Sequence, residues 1–377
     1  MLLELTSDQE FFRDTTARFL DDQAPATELR RLRDDAVGFE ADYWQRGADL
    51  GWTSLLVAED HGGGSISGDG LVDLTLVAHE FGRHAAPGPL LSTNVVAGAL
   101  SAADADQDLI ARLLAGTSVA TWCLSEGPPH DGWGDVAFEI EVDGDELVLD
   151  GIKRPIESAG QASHLLVTGR TGDGLTQVIV PSDADGLSLT PMHGVDLTRR
   201  FWTARFEGVR VPADAVLGQV GQAAGDVERL LQHALVILNA EAVGAMEATF
   251  DMTVEWAFDR YSFGRPLASY QALKHRFADM KTWLEASHAI SDEAAEAVAA
   301  GKPEAGELVS AAKAFIGDHG AELVHDCVQL HGGIGLTFEH DLHFFLRRVT
   351  MSRALFGTPT EHRRRLADLI DEREGVW

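Results

Sequence analysis

The sequence predicts an α+β protein in three segments, helical over residues 1–116, strand-rich over 117–224 and helical again over 225–377. Three observations carry this reading. Apolar residues recur at helical spacing up to about residue 115. From Ser118 short extended runs take over, most of them bounded by Gly, Asp or Pro. From Gly225 long helical stretches return, the first running to Arg260. A chain of 377 residues is long enough for two or three domains. Its composition, 45% hydrophobic and 24% charged, supports a buried core and excludes a disordered chain.

The elements follow in order. Ser7-Asp-Gln-Glu10 reads as a capping box, and Phe11, Phe12, Ala17, Phe19 and Leu20 give the helix after it an apolar face. Tyr43, Trp44, Gly47 and Ala48 share the face of a further helix. Gly62–Gly64 is a loop, and it lacks the Gly-Lys-Ser/Thr of a phosphate loop. Helical spacing resumes over Leu71–Phe81 and Leu90–Leu100. The strand candidates are Val119–Leu124, Val136–Val142, Glu146–Leu149, Ser163–Thr168, Thr176–Val180 and the stretch from Leu187 to Val211. Asp143-Gly144 is a hairpin signal, and the set reads as a compact antiparallel sheet. Helices then cover 226–260, 269–300, 304–330, 340–356 and 361–374. They are broken at Phe263-Gly-Arg-Pro266, Gly301-Lys-Pro303, His331-Gly-Gly-Ile-Gly335 and Gly357-Thr-Pro359. Ser269 is the expected cap of the second of these helices, and Glu339 or Asp341 of the fourth.

Bulk properties narrow the function. A formal net charge of −30 argues against general binding to nucleic acid or anionic membranes. Cys123 and Cys327 make neither a disulfide framework nor a zinc spacing, and no metal site is expected. The first residues lack the basic-then-apolar pattern of a signal peptide. No stretch approaches the roughly 18–20 apolar residues of a membrane span, so a cytoplasmic protein is expected. Arg260, Arg265 and Gln271 gather polar groups beside a glycine turn. On local chemistry alone this is either a helix corner or an anion site.

Four stretches carry a family resemblance: Leu50-Gly-Trp-Thr-Ser-Leu-Leu-Val-Ala-Glu-Asp-His-Gly-Gly63, Phe206-Glu-Gly-Val-Arg-Val-Pro212, Arg260-x-x-Phe263-Gly264 with Gln271 and Ala278-Asp279-Met280, and Gln329-Leu-His-Gly332-Gly333-Ile-Gly335. With them the chain resembles the acyl-CoA dehydrogenase family over essentially its whole length. The resemblance implies a helical domain, an antiparallel β-barrel domain and a four-helix bundle. It implies FAD at a subunit interface, an acyl-CoA thioester substrate and an electron-transfer flavoprotein as acceptor. Arg260, Phe263 and Gln271 would hold FAD, and Gln329, Gly332 and Gly333 would approach the cofactor of a neighbouring subunit. The family reaction has a carboxylate remove a proton beside the thioester while flavin N5 accepts a hydride. Val195-Asp-Leu-Thr-Arg-Arg200, Phe338-Glu-His-Asp341 and Phe356-Gly-Thr-Pro-Thr-Glu-His-Arg363 resemble an actinobacterial, sterol-catabolic branch.

The chain departs from the family where the chemistry sits. Phe356 stands at the usual position of the glutamate base, and the alternative base position on the long helix is Ala234. The substrate-site arginine beside it becomes Leu235. Glu241 is the nearest carboxylate on that helix, on nearly the same face and about 10.5 Å further along. Among small apolar neighbours it needs a partner, such as Arg260 or an arginine of a neighbouring chain, or it acts as the base. The flavin-contacting run retains Ser125-Glu126 and loses the family pattern through Asp135. The Trp-Ile-Thr that packs on the flavin ring is Pro155-Ile156-Glu157, which places a carboxyl near N5. The expected function is α,β-dehydrogenation of an acyl-CoA thioester, in this branch steroid-derived, with the chain as one subunit of a heterotetramer. The alternatives are a non-catalytic subunit that completes a homologous partner's FAD site and a self-sufficient homotetramer with an unconventional base. A nitroalkane oxidase or flavin hydroxylase relative is a further reading, and the nitroalkane oxidases need an acid at the same empty position.

Overall fold

The structure is a computed structural model describing residues 4–33, 35, 37–127, 136–172 and 174–375. The N-terminal helices are α1 (Ser7–Gln23), α2 (Ala26–Leu32), α3 (Ala41–Asp49), α4 (Gly70–Arg83), α5 (Leu90–Ala102) and α6 (Gln107–Leu114). The middle strands are β1 (Ala120–Cys123), β2 (Glu139–Asp143), β3 (Glu146–Glu157), β4 (His164–Thr171), β5 (Gly174–Pro181), β6 (Leu187–Met192), β7 (Phe201–Pro212) and β8 (Val216–Leu217). The C-terminal part holds α7 (Ala224–Asp259), a small hairpin of β9 (Tyr261–Ser262) and β10 (Arg265–Pro266), α8 (Gln271–Ala299), α9 (Ala305–His331), α10 (Leu342–Ala354) and α11 (Pro359–Glu374).

Local chemistry explains most boundaries. The capping box of α1 is made by Thr6, one residue before the expected Ser7, with Gln9 reaching back. Its register is fixed by Gln9, which also donates to the buried Asp73 of α4. In α3 the predicted face of Tyr43, Trp44, Gly47 and Ala48 is buried. Gly47 is required there because a Cβ would sit 2.2 Å from the Trp52 ring. Ser269 does not cap α8; its hydroxyl donates to the Pro266 carbonyl, and the helix starts two residues later without a side-chain cap. Asp341 precedes α10 without capping it, because its carboxylate pairs with Arg30.

The middle sheet runs in the order β6-β7-β3-β2-β4-β5-β8, with β1 on β4. The β2–β3, β3–β7, β4–β5, β5–β8 and β6–β7 pairs are antiparallel, and the hairpin at Asp143-Gly144 has Gly144 in the left-handed region. The β1–β4 and β2–β4 pairs are parallel. The expected antiparallel sheet is mainly so, with β1 and β2 each parallel to β4, and among the described residues no pairing joins β6 to β8. The single hairpin excursion through β3 brings β4 back in the direction of β2.

The long helix α7 is the spine. Its buried stretch from Ala234 to Met246 crosses α4 at close range. A Cβ on Gly82 of α4 would lie 1.9 Å from the Glu241 carbonyl oxygen, and one on Gly244 of α7 would lie 2.0 Å from the His79 carbonyl oxygen. These reciprocal glycines let the two backbones touch, so the N-terminal helices lean directly on the C-terminal bundle. No helix among the described residues is long and apolar enough to cross a membrane.

Candidate active site

A narrow cleft opens where β1, β3 and α5 meet the segment after α10. Thr121, Trp122, Ser125, Pro155 and Glu157 line it from the sheet, and Leu355 with Phe356 closes the far side. Phe356 has a left-handed backbone, φ 53°, rare for a bulky residue. Its ring stacks on Trp122, with centroids 5.9 Å apart and planes 25° apart. Two buried basic groups brace the backbone behind it. The ammonium of Lys313 donates to the Ser352 carbonyl, and His362 Nε2 lies 2.9 Å from the Phe356 carbonyl oxygen. Burial pushes the Lys313 amine down to about 7 and the His362 imidazole down to about 3.

Glu157 is the single ionisable side chain among the lining residues. Arg199 Nε lies 3.0 Å from its carboxylate. Burial raises its pKa against the pull of Arg199. Glu157 is one end of a buried ionic chain that continues through Arg199, Glu241, Arg348 and Asp196. Burial opposes ionisation of Asp196, and Arg348 with Arg199 outweighs it, so this carboxyl stays below its usual range. In this chain three carboxyls share two guanidiniums.

Glu241 lies within this chain and away from the cleft lining. Its partners are Arg199 and Arg348, which correct the expected Arg260. Ala234 and Leu235, the alternative base and substrate-arginine positions, are completely buried.

The remaining predicted site residues gather elsewhere, at the outer end of α7. Arg260, Phe263, Gln271, Gln329, Gly332 and Gly333 are all exposed. Trp256, which sequence reasoning missed, joins the two motifs: its indole donates to the Leu330 carbonyl, stacks on His331 and carries the Arg260 guanidinium over its face. His340 meets both Trp256 and His331 edge-on. A tryptophan and a histidine placed either side of the Arg-x-x-Phe-Gly and Gln-Leu-His-Gly-Gly motifs were the available signal. No residue of this corner lines the cleft.

The two halves answer differently to the FAD that the fold implies. A planar ring held between two aromatic faces needs about 7 Å, two contact layers of roughly 3.5 Å. Trp122 and Phe356 are closer than that and stack on each other. Among the described residues, with Pro155 and Glu157 as further walls, no slot for an isoalloxazine ring opens between these two aromatic faces. The exposed corner, with a guanidinium, an amide and open glycine backbone, fits phosphate and adenine groups. Ser125 and Glu157 belong to the first region, and the other six predicted residues to the second. The part of the flavin-contacting run at 128–135 lies outside the described residues.

Comparison with known proteins gives the family and the fold. Residues 6–117 match the family described as acyl-CoA dehydrogenase, N-terminal domain, and residues 224–370 match acyl-CoA dehydrogenase, C-terminal domain. The chain is 28% identical over 363 residues to acyl-CoA dehydrogenase IpdE2 of Mycolicibacterium smegmatis, covering 96% of this chain and 98% of that one. A solved structure of a variant of the Tcur3481-Tcur3483 steroid ACAD has a TM-score of 0.89 at 26% identity, over 97% of this chain and 98% of that chain. The ChsE4-ChsE5 complex from Mycobacterium tuberculosis gives a TM-score of 0.89 at 22% identity over 99% of each chain, a likeness of fold.

Two outcomes are expected. Glu241→Gln should lower the unfolding free energy by roughly 3–5 kcal/mol, because it leaves two buried guanidiniums short of a carboxylate; wild-type stability in urea titration would show that the ionic chain holds nothing together. Lys313, with its pKa lowered from 10.5 to about 7, gives a pH signature. Between these values the unfolded chain binds a proton that the folded chain does not, so stability rises with pH across the window. Lys313→Met should flatten that rise, and an unchanged slope would place the titration elsewhere.

Proposed function

The chain belongs to the acyl-CoA dehydrogenase family of FAD-dependent oxidoreductases, and from that membership we propose that it is one subunit of a hetero-oligomer that introduces an α,β double bond into an acyl-CoA thioester. A homologous partner supplies the carboxylate base. The observation that carries this is Phe356, stacked on Trp122 where the family places a glutamate, together with the buried Ala234 at the other base position. Bound FAD supplies the hydride acceptor in this family. The role of this chain is to present Arg260, Phe263, Gln271 and the Gln329–Gly333 loop to a cofactor seated mainly on the partner. Apolar side chains beside that corner support an interface: Phe258, Tyr261, Phe263, Leu336 and Phe338 are all more than half exposed, and Phe263 is 98% exposed. A steroid-derived thioester is the proposed substrate, since a similar solved protein is named a steroid ACAD. An electron-transfer flavoprotein is the proposed acceptor. Glu241 is structural in this reading.

A second reading, a self-sufficient enzyme with an unconventional base, rests on Glu157, the one ionisable group lining the cleft. Co-purification with a homologous subunit that carries the missing glutamate separates the two. Turnover of a CoA thioester is expected from the pair, and Arg260→Ala in this chain should weaken flavin retention roughly 10- to 100-fold through loss of a charged hydrogen bond. Glu157→Gln should leave turnover of the pair intact. Turnover by the lone chain, abolished by Glu157→Gln, would replace the first reading with the second.

A further inference from the structure

We propose that His79, Glu247 and His288 form a binding site for a divalent transition-metal ion of the zinc type, at the seam where α4 meets α7 and α8. One ligand atom from each residue lies within 4.8 Å of the others. His79 Nε2 is 2.9 Å from Glu247 Oε2, and His288 Nε2 is 3.9 Å from the same oxygen. Four-coordinate zinc with bonds of about 2.0–2.1 Å sets its ligand atoms roughly 3.3 Å apart. To reach that spacing the His79–Glu247 pair opens slightly from 2.9 Å, and the wider separations, 3.9 Å and up to 4.8 Å, close.

Three further features separate the cluster from an ordinary ion pair. Both imidazoles are buried, with His79 Nε2 turned to Glu247 and its other ring nitrogen to Glu80. Glu80 Oε1 lies 3.6 Å from His79 Nδ1, the side away from Glu247. A carboxylate behind a ligating histidine is the usual device for orienting the ring and raising its basicity. Glu247 is 27% exposed, which leaves an approach from solvent and room for a water at the fourth position.

Arg83 opposes a cation here, with its guanidinium 3.1 Å from Glu247 Oε2. Both of its terminal nitrogens also lie 3.3 Å from Asp251 Oδ2. It can therefore release Glu247 and keep a carboxylate partner. The three ligands come from separate helices, one of them N-terminal and two in the C-terminal bundle. A metal there ties these two parts of the chain together at the same α4–α7 crossing that the glycines permit. The set is two histidines and one carboxylate, which suits zinc, cobalt or a similar ion better than calcium or magnesium.

The test uses the full chain, stripped of metal with a chelator and titrated with zinc sulfate. Elemental analysis after gel filtration should find one zinc per chain, and zinc should raise Tm. His288→Asn and Glu247→Gln should each bind more than about 10-fold more weakly, with circular dichroism showing that they remain folded. Because a variant can lose binding by misfolding, cobalt chloride added to the unaltered chain is the independent arm. Visible ligand-field bands of a low-coordinate site are expected there. Absence of those bands, less than stoichiometric zinc, or equal zinc in folded variants (binding at others of the 15 histidines) overturns the proposal.

Discussion

Arg348 is the constraint on which the arrangement depends. Its guanidinium is fully buried and meets all three parts of the chain. Nε donates to Asp196, 2.6 Å away in the sheet segment, and one terminal nitrogen donates to Glu241 of α7. The other terminal nitrogen donates to the carbonyls of Ala85 and Ala86, just past α4, and to the Thr198 hydroxyl. A buried guanidinium is costly unless its donors are met, and here every nitrogen has an oxygen. Arg200, two residues from Thr198, does the matching work outside the core by donating to the carbonyls of Leu32, Arg33 and Asp35. The short run 195–200 is thus the joint between the helical parts and the sheet.

The cleft inherits its character from this joint. Arg199 spends its charge on Glu157 and Glu241, so it does not face an incoming substrate, and Glu157 is drawn toward the ionic chain. The opposite wall is Phe356, fixed by Trp122 in front and by Lys313 and His362 behind its backbone. A cleft closed by an aromatic pair and a tethered carboxyl is poor ground for proton abstraction. The exposed corner around Trp256 keeps a guanidinium, an amide and open glycine backbone, groups suited to phosphate and adenine. Under the proposed function, this separation suits a subunit that completes a partner's site.

Much of this was legible in the sequence. The helical spacing of α3 and α7 to α11, the Asp143-Gly144 hairpin and the two motifs of the corner follow from local pattern. The short helices α2 and α6 were not anticipated, because seven or eight residues give too little periodicity to register. Caps shifted by one residue or vanished where a nearby side chain offered a better partner, as Gln9 did for Thr6 and Arg30 for Asp341. Glu241 reads from the sequence as a carboxylate that needs a partner or acts as a base, and its partners lie 42 positions back and 107 further along the chain, beyond any local signal. The 195–200 run stood out as a branch phrase, while its role as a joint required the tertiary contacts. The His79, Glu247 and His288 cluster has no spacing motif at all, since its members come from three helices.

The central claim is that the cleft of this chain does not seat a flavin ring of its own. Titrating the isolated full-length chain with FAD, and following flavin fluorescence and absorbance, tests it most directly. The account predicts no saturable 1:1 binding to the lone chain and recovery of binding when a homologous partner is added. Tight 1:1 binding to the lone chain that is lost on changing Glu157 or Ser125, and kept on changing Arg260, would contradict it.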